Sequence, residues 1–103
     1  MSDVAILAQI LNGGDIPAFY DHAPAGTKLP FVTFTASSQN FEADDRVYHK
    51  GLSFRAVLYT VEKNPQLEEE FEAILDNNSI PWEREEIYLD DELCYQEIYT
   101  GTF

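Results

Sequence analysis

Val4, Leu7, Ala8 and Leu11 recur at three- and four-residue steps, which predicts an α-helix over the first dozen positions. Ser2 or Asp3 is a suitable N-cap, and Asn12-Gly13-Gly14 supply a C-terminal stop. Ile6 and Ile10 widen the apolar face, either for packing or for meeting a neighbouring subunit. Residues 13–29 carry Pro17, Pro24 and three glycines, which predicts a loop with at most a short extended piece around Ile16 to Tyr20.

The period then shortens to two. In "FVTFTA", Val32, Phe34 and Ala36 alternate with Thr33 and Thr35, the pattern of a strand. "GLSFRAVLYTVEK" places Leu52, Phe54, Ala56 and Leu58 on one face, and Val57, Tyr59 and Val61 on the other. Apolar residues on both faces imply a central strand, or one covered by a helix on one side and a partner on the other.

Helical spacing returns in "NPQLEEEFEAILDNN". Leu67, Phe71, Ile74 and Leu75 make one narrow apolar face, Asn64 is the cap, and Pro65 fits the first turn. Glu68 to Glu70 lie near the positive helix end, and Asn77-Asn78 suit a left-handed close. "IPWEREEIYL" and "ELCYQEIYTGT" read as two further strands joined through Asp90, Asp91 and Glu92. The expected fold is α+β: a mainly antiparallel sheet of about four strands, two helices on one face, and a long loop or arm between the first two strands.

A chain of 103 residues with 45% hydrophobic content is expected to form one domain, 1–103, with a real core. The start of the chain lacks the basic flank of a signal peptide, and no run approaches a membrane span. Cys94 has no second cysteine to pair with. These features predict a soluble cytosolic protein. The net charge of −13 is uneven, at −2 over residues 1–61 and −11 over residues 62–103. Such a surface repels phosphate backbones and argues against ordinary nucleic-acid binding. It fits solubility, a wall past which DNA slides, or an imitation of DNA.

Candidate chemistry is sparse. Cys94 falls in an expected strand beside Tyr95 and reads as a buried structural thiol. His22 and His49 show no ligand spacing. The carboxylates Glu83, Glu85, Glu86, Asp90, Asp91 and Glu92 lack the glycine of a calcium loop and read as a solvated face and turn. Gly13-Gly14 lacks the lysine of a phosphate loop. The expectation is therefore no catalysis, no cofactor and no metal. What remains is surface chemistry. Between the two strands, "NFEADDRVYHKG" spans a dozen residues where a hairpin needs two to five. Phe41, Val47 and Tyr48 stand there among Asp44, Asp45, Arg46 and Lys50. They are either a lid folded back on the sheet or anchors of an interface.

The run "LPFVTFTASSQNFEADDRVYHKGLSFRAVLYT" followed by "LEEEFEAILDNNSIPWEREEIYLDDELCYQEIY" resembles the tail-completion (tail-terminator) proteins of long-tailed phages and prophages of Gram-positive bacteria. The resemblance rests on Leu29-Pro30 before the first strand, "NFEADD" with "VY", "LYT" and "IPWE", in matching order and spacing from Leu29 to Tyr99. It implies a structural virion protein of the neck, assembled in the host cytoplasm. A homo-hexameric ring of it would end polymerisation of the major tail tube protein and offer a face to the head-closure protein. DNA would pass through an acidic lumen without specific binding, and no membrane is involved. The dozen residues would then be an arm reaching a neighbour, with Phe41, Asp44, Asp45, Arg46, Val47, Tyr48 and Lys50 as its interface. Two other roles compete: a head-closure or connector protein of the same neck, and an acidic DNA mimic that inhibits a host nucleic-acid-binding protein.

Overall fold

The computed structural model describes the backbone of residues 3–43 and 47–102, with side chains over 4–37 and 52–102. In chain order the elements are α1 (Asp3–Leu11), β1 (Ala18–Tyr20), β2 (Phe31–Ala43), β3 (Val47–Thr60), α2 (Pro65–Asn77), β4 (Glu83–Leu89) and β5 (Cys94–Thr102). The strands form one sheet in the order β1-β2-β3-β5-β4. Every pairing is antiparallel except β1 with β2. This is the expected α+β architecture, with five strands where the pattern predicts about four.

Both helices lie on one face of the sheet. Leu7 and Leu11 of α1 and Phe71 and Leu75 of α2 close over Val32, Phe34, Leu52, Ala56, Leu58 and Tyr99, all buried in one cluster. At the start of α2, the Leu67 amide donates to Asn64 Oδ1 at 3.1 Å, as the cap reading requires. Its close falls one residue later than expected. Asn78 keeps φ at −102°, and Ser79 takes the left-handed position at 57°. The Ile80 amide then reaches back to the Leu75 carbonyl at 2.9 Å and the Ser79 amide to Asp76 at 3.0 Å. This is a Schellman close, and it buries Ile80.

The fifth strand comes from the segment expected to be a loop. Asn12 stops α1 and also clamps β1: its Nδ2 donates to the Ala18 carbonyl at 3.2 Å, and its Oδ1 accepts from the Ala18 amide at 2.9 Å. Ala18, Phe19 and Tyr20 then run beside Val32, Thr33 and Phe34. Three residues are too few to carry a visible alternation, so the pattern gives no more than the short extended piece expected around Ile16 to Tyr20.

Of the two forms expected for the dozen residues between the strands, a long loop or an arm, the structure has the arm. The β2–β3 ladder does not open into a loop there. It continues through Asn40↔Lys50, Phe41↔His49 and Glu42↔Tyr48 to Ala43↔Val47. β1 flanks this ladder only at Val32 to Phe34, and β5 flanks it only as far as Ser53↔Thr102. The rest is a two-stranded ribbon projecting from the sheet, and the molecule measures 49 × 26 × 23 Å. A ribbon outside the core has no face that must be apolar, so "SSQNFEA" shows no alternation to read.

Gly101 marks a tight approach on the helix-covered face. A Cβ there would stand 2.1 Å from the Pro81 carbonyl oxygen and 3.0 Å from the Phe54 ring. Gly101→Ala must push the 81–82 segment off the sheet, and is expected to destabilise the fold by about 1–3 kcal/mol, as overpacking generally does. Urea unfolding measures this, and a midpoint equal to the unmodified chain's would show that the segment yields freely.

Candidate interaction surfaces

The arm comes first because the sequence singles it out. Phe41 stands opposite His49 in the ladder, Tyr48 opposite Glu42, Lys50 opposite Asn40, and Val47 opposite Ala43 at the last pair. Asp44, Asp45 and Arg46 lie outside the described residues. The strand pairing therefore brings Phe41, Val47, Tyr48 and Lys50 onto one ribbon. Charge along it is uneven. From Val47 to Arg55 the sequence carries His49, Lys50 and Arg55 and no acidic residue, in a chain with 19 acidic and six basic residues.

The second surface is the sheet face turned away from the helices. Strand register sets its rows: Thr35, Arg55, Thr100 and Glu83; then Phe19, Thr33, Val57, Ile98 and Glu85; then Phe31, Tyr59, Gln96 and Ile87. The face grades from hydroxyl-rich near the arm to aromatic at the far end. There Phe31 and Tyr59 rings lie 4.9 Å apart, and residues 21–29 fold over part of them beside Cys94. Val57 and Ile98 on this face are buried. Cys94 is buried as expected, and that burial pushes its thiol pKa up, away from reactivity.

The third feature is a set of charges under α2 that sequence reasoning missed. Glu97 projects from β5 onto the helix-covered face beside Leu58 and is 0% exposed. Glu68 of α2 is also buried, and Glu86 of β4 stands opposite Glu97 in the ladder. Lys63, from the β3–α2 turn, inserts its ammonium among them. Nζ lies 2.8 Å from Glu68 Oε2, is bonded to Glu86, and is 3.7 Å from Glu97. Arg84 bonds Glu68 at 3.1 Å and Glu72 at 2.8 Å, and the Tyr99 hydroxyl donates to Glu72 at 2.8 Å.

Burial raises the Glu97 pKa to about 7, helped by the bond it shares with Glu86 and by the nearby Glu68; Lys63 opposes the shift. Neither Glu97 oxygen accepts a hydrogen bond, so the neutral acid donating to Glu86 is the satisfied form. Lys63 is held charged chiefly by Glu68 and then Glu86, and its bond in turn lowers the Glu86 pKa. Carboxylate oxygens of Glu68, Glu86 and Glu97 lie within 4.8 Å of one another, a spacing that suits a metal ion. The Lys63 ammonium already occupies that place as the counter-ion. The set therefore acts as a half-buried clamp joining α2 to β4 and β5, with Glu68 and Glu97 inside and Lys63, Arg84 and Glu86 at its rim. The solvated-face reading of Glu83, Glu85 and Glu86 agrees with their exposure, and Glu86 is in addition bonded to Lys63. A sequence signal existed: Tyr95, Glu97 and Tyr99 alternate on one face, so Glu97 shares the side that Tyr99 buries.

His22 sits in the exposed 21–29 segment with Nδ1 3.1 Å from Asp21 Oδ2. Its side chain is 81% exposed, a solvated histidine. A hollow of about 200 Å³ between α1 and α2 is lined by Leu11, Gly14, Ile16, Phe71 and Ile74, with only Asp15 and Glu70 as ionisable groups at it. No helix among the described residues is long and apolar enough to cross a membrane. Among known proteins, no family model and no curated sequence matches this chain.

Proposed function

We propose that this protein is a structural subunit of a phage neck, a tail terminator that assembles as a homo-hexameric ring and performs no catalysis. The observation that carries the reading is the β2–β3 arm, a paired ribbon continuing well past the strands that flank it. Within one subunit nothing among the described elements pairs with its outer sides, and a ring gives it a neighbour to hold. The acidic surface adds support. Glu62, Glu69, Glu70, Asp76, Glu83, Glu85, Asp90, Asp91 and Glu92 are all exposed along α2, β4 and their adjoining turns. A lumen bearing such groups passes DNA without gripping it. The tube protein and the head-closure protein are its proposed partners, on the two faces of the ring.

The test is deletion of the gene from the phage or prophage that encodes it, with negative-stain microscopy of the lysate. Filled heads beside detached tails of abnormal length are the expected result. Detached tails of normal length would move the role to head closure. Normal infectious particles would overturn the neck reading and favour an acidic DNA mimic.

A further inference from the structure

We infer that the hollow at the aromatic end of the open sheet face takes the guanidinium of an arginine from a partner protein. The inference goes beyond the neck reading and does not depend on it. The hollow, of about 400 Å³, lies between the sheet and residues 21–29. Its floor is the Phe31–Tyr59 ring pair, with Thr33 and Cys94 beside it, and its rim carries Asp21 and Glu92. By register Phe31, Thr33 and Tyr59 share the face turned away from the helices, and both rings are only half-buried. The turn from β4 to β5 adds an apolar neighbour. Leu93 holds φ at 52°, a left-handed position that turns commonly give to glycine, and its side chain is 66% exposed. Ile87, in the same row as Tyr59 by register, is exposed as well. Aromatic and apolar groups open to solvent around a concave centre are the anatomy of an interface core with its polar rim.

Charge selects the occupant. The face of an aromatic ring is negative and attracts a cation. Asp21 and Glu92 are exposed carboxylates, and Glu92 has no ion-pair partner among the described residues. Asp21 holds the His22 ring through Oδ2, which leaves Oδ1 without a partner among the described residues. No lysine or arginine lines the hollow, and the adjoining turn adds the exposed acids Asp90 and Asp91. A cation from outside therefore meets two ring faces and two carboxylates with no competing charge but His22. A guanidinium fits this set better than an ammonium does. Its plane stacks on a ring while its N–H groups fork to carboxylates, and it gives up its water more readily. An anion would be repelled by the rim, and a neutral apolar body would leave the carboxylates uncompensated.

Amide-resolved NMR of the isotope-labelled chain at low salt tests this with two probes. One is N-acetyl-arginine methylamide; the other is N-acetyl-citrulline methylamide, of nearly the same shape and without charge. The arginine probe is expected to shift the amides of residues 31–33, 59 and 92–94 saturably, and the citrulline probe to leave them unmoved. Glu92→Gln, a change at an exposed turn, and Tyr59→Leu should each weaken the arginine probe about threefold or more, the worth of an exposed cation contact. Equal shifts by both probes would overturn recognition of the charge. Shifts spread evenly over the exposed acids of α2 would overturn the hollow as the site and leave only general attraction. The absence of any saturable shift would overturn the inference outright. Shifts of the same amides when the chain alone is concentrated would give the hollow to a second copy and overturn the separate partner. Each of these outcomes leaves the neck reading to the gene-deletion experiment.

Discussion

Replacing Phe71 by alanine is expected to cost about 3–5 kcal/mol, the range for a large aromatic removed from a core. Phe71 is 1% exposed and holds the centre of the face that α2 presents to the sheet. Its ring lies 5.0 Å from that of Tyr99, whose hydroxyl is bonded to Glu72, the next residue along the helix. Losing the ring removes apolar burial and also the support of that buried hydroxyl. The adjoining hollow between α1 and α2 already lacks a side chain to refill the space. A domain of this size is typically stable by about 5–15 kcal/mol, so the variant stands near the edge of folding. Urea unfolding should show a much lower midpoint, with Phe71→Leu far milder. A drop no larger than that of an exposed-site variant would mean that α2 does not depend on this contact.

The second large effect is expected at Glu97, and it depends on pH. Its folded pKa of about 7 lies above the unfolded carboxylate value. The folded form therefore binds the proton more tightly, and the stability this contributes is fully present below about pH 4.3, the ordinary glutamate value. That stability is lost as pH rises through about 7. Over the whole window the change is on the order of 3 kcal/mol, because each tenfold gain in proton affinity is worth about 1.4 kcal/mol. Glu97→Gln keeps the shape and neutrality without the titration. It should raise the melting temperature at pH 8 and leave it nearly unchanged at pH 4.5. Glu86 acts in the opposite sense: Lys63 lowers its pKa, so its contribution is present above the ordinary carboxylate pKa and is lost as pH falls through the lowered value. The two windows lie on opposite sides of the ordinary glutamate value and separate in a pH series. An equal effect of Glu97→Gln at both pH values would show that Glu97 does not titrate within the fold.

The elements that bury a face were legible in the sequence. Phe71 and Leu75 recur at helical spacing because α2 has one side against the sheet. Leu52 to Leu58 alternate because β3 lies at the sheet's centre, and Val57 on the opposite side is buried too. Asn64 was legible as a cap because its chemistry is local. What escaped was structure held by something other than burial. β1 is fixed by the Asn12 side chain and by pairing with β2, and neither leaves a periodic trace. The outer arm is held by its own ladder. The clamp escaped for another reason: Glu68 is one letter of an acidic run and Glu97 a lone acid in β5, and only the third dimension shows that both are buried. Of the arm residues expected to form an interface, Phe41, Val47, Tyr48 and Lys50 are brought onto one ribbon, while the part played by each is a matter for the assembly experiments.

The arm also determines how the molecule moves through water. A chain of about 100 residues typically has a radius of gyration near 13 Å, whereas this one has 14.8 Å. Its long axis, 49 Å, is about twice the other two, 26 and 23 Å. A single copy therefore drags more solvent than its 11.8 kDa implies, and it should elute from a sizing column ahead of a spherical protein of equal mass. If the ribbon lies along a neighbour once copies join, each added subunit increases the mass by more than it increases the drag. Frictional ratio should then fall as assembly proceeds, which makes hydrodynamic shape, beside mass, a record of where the arm has gone.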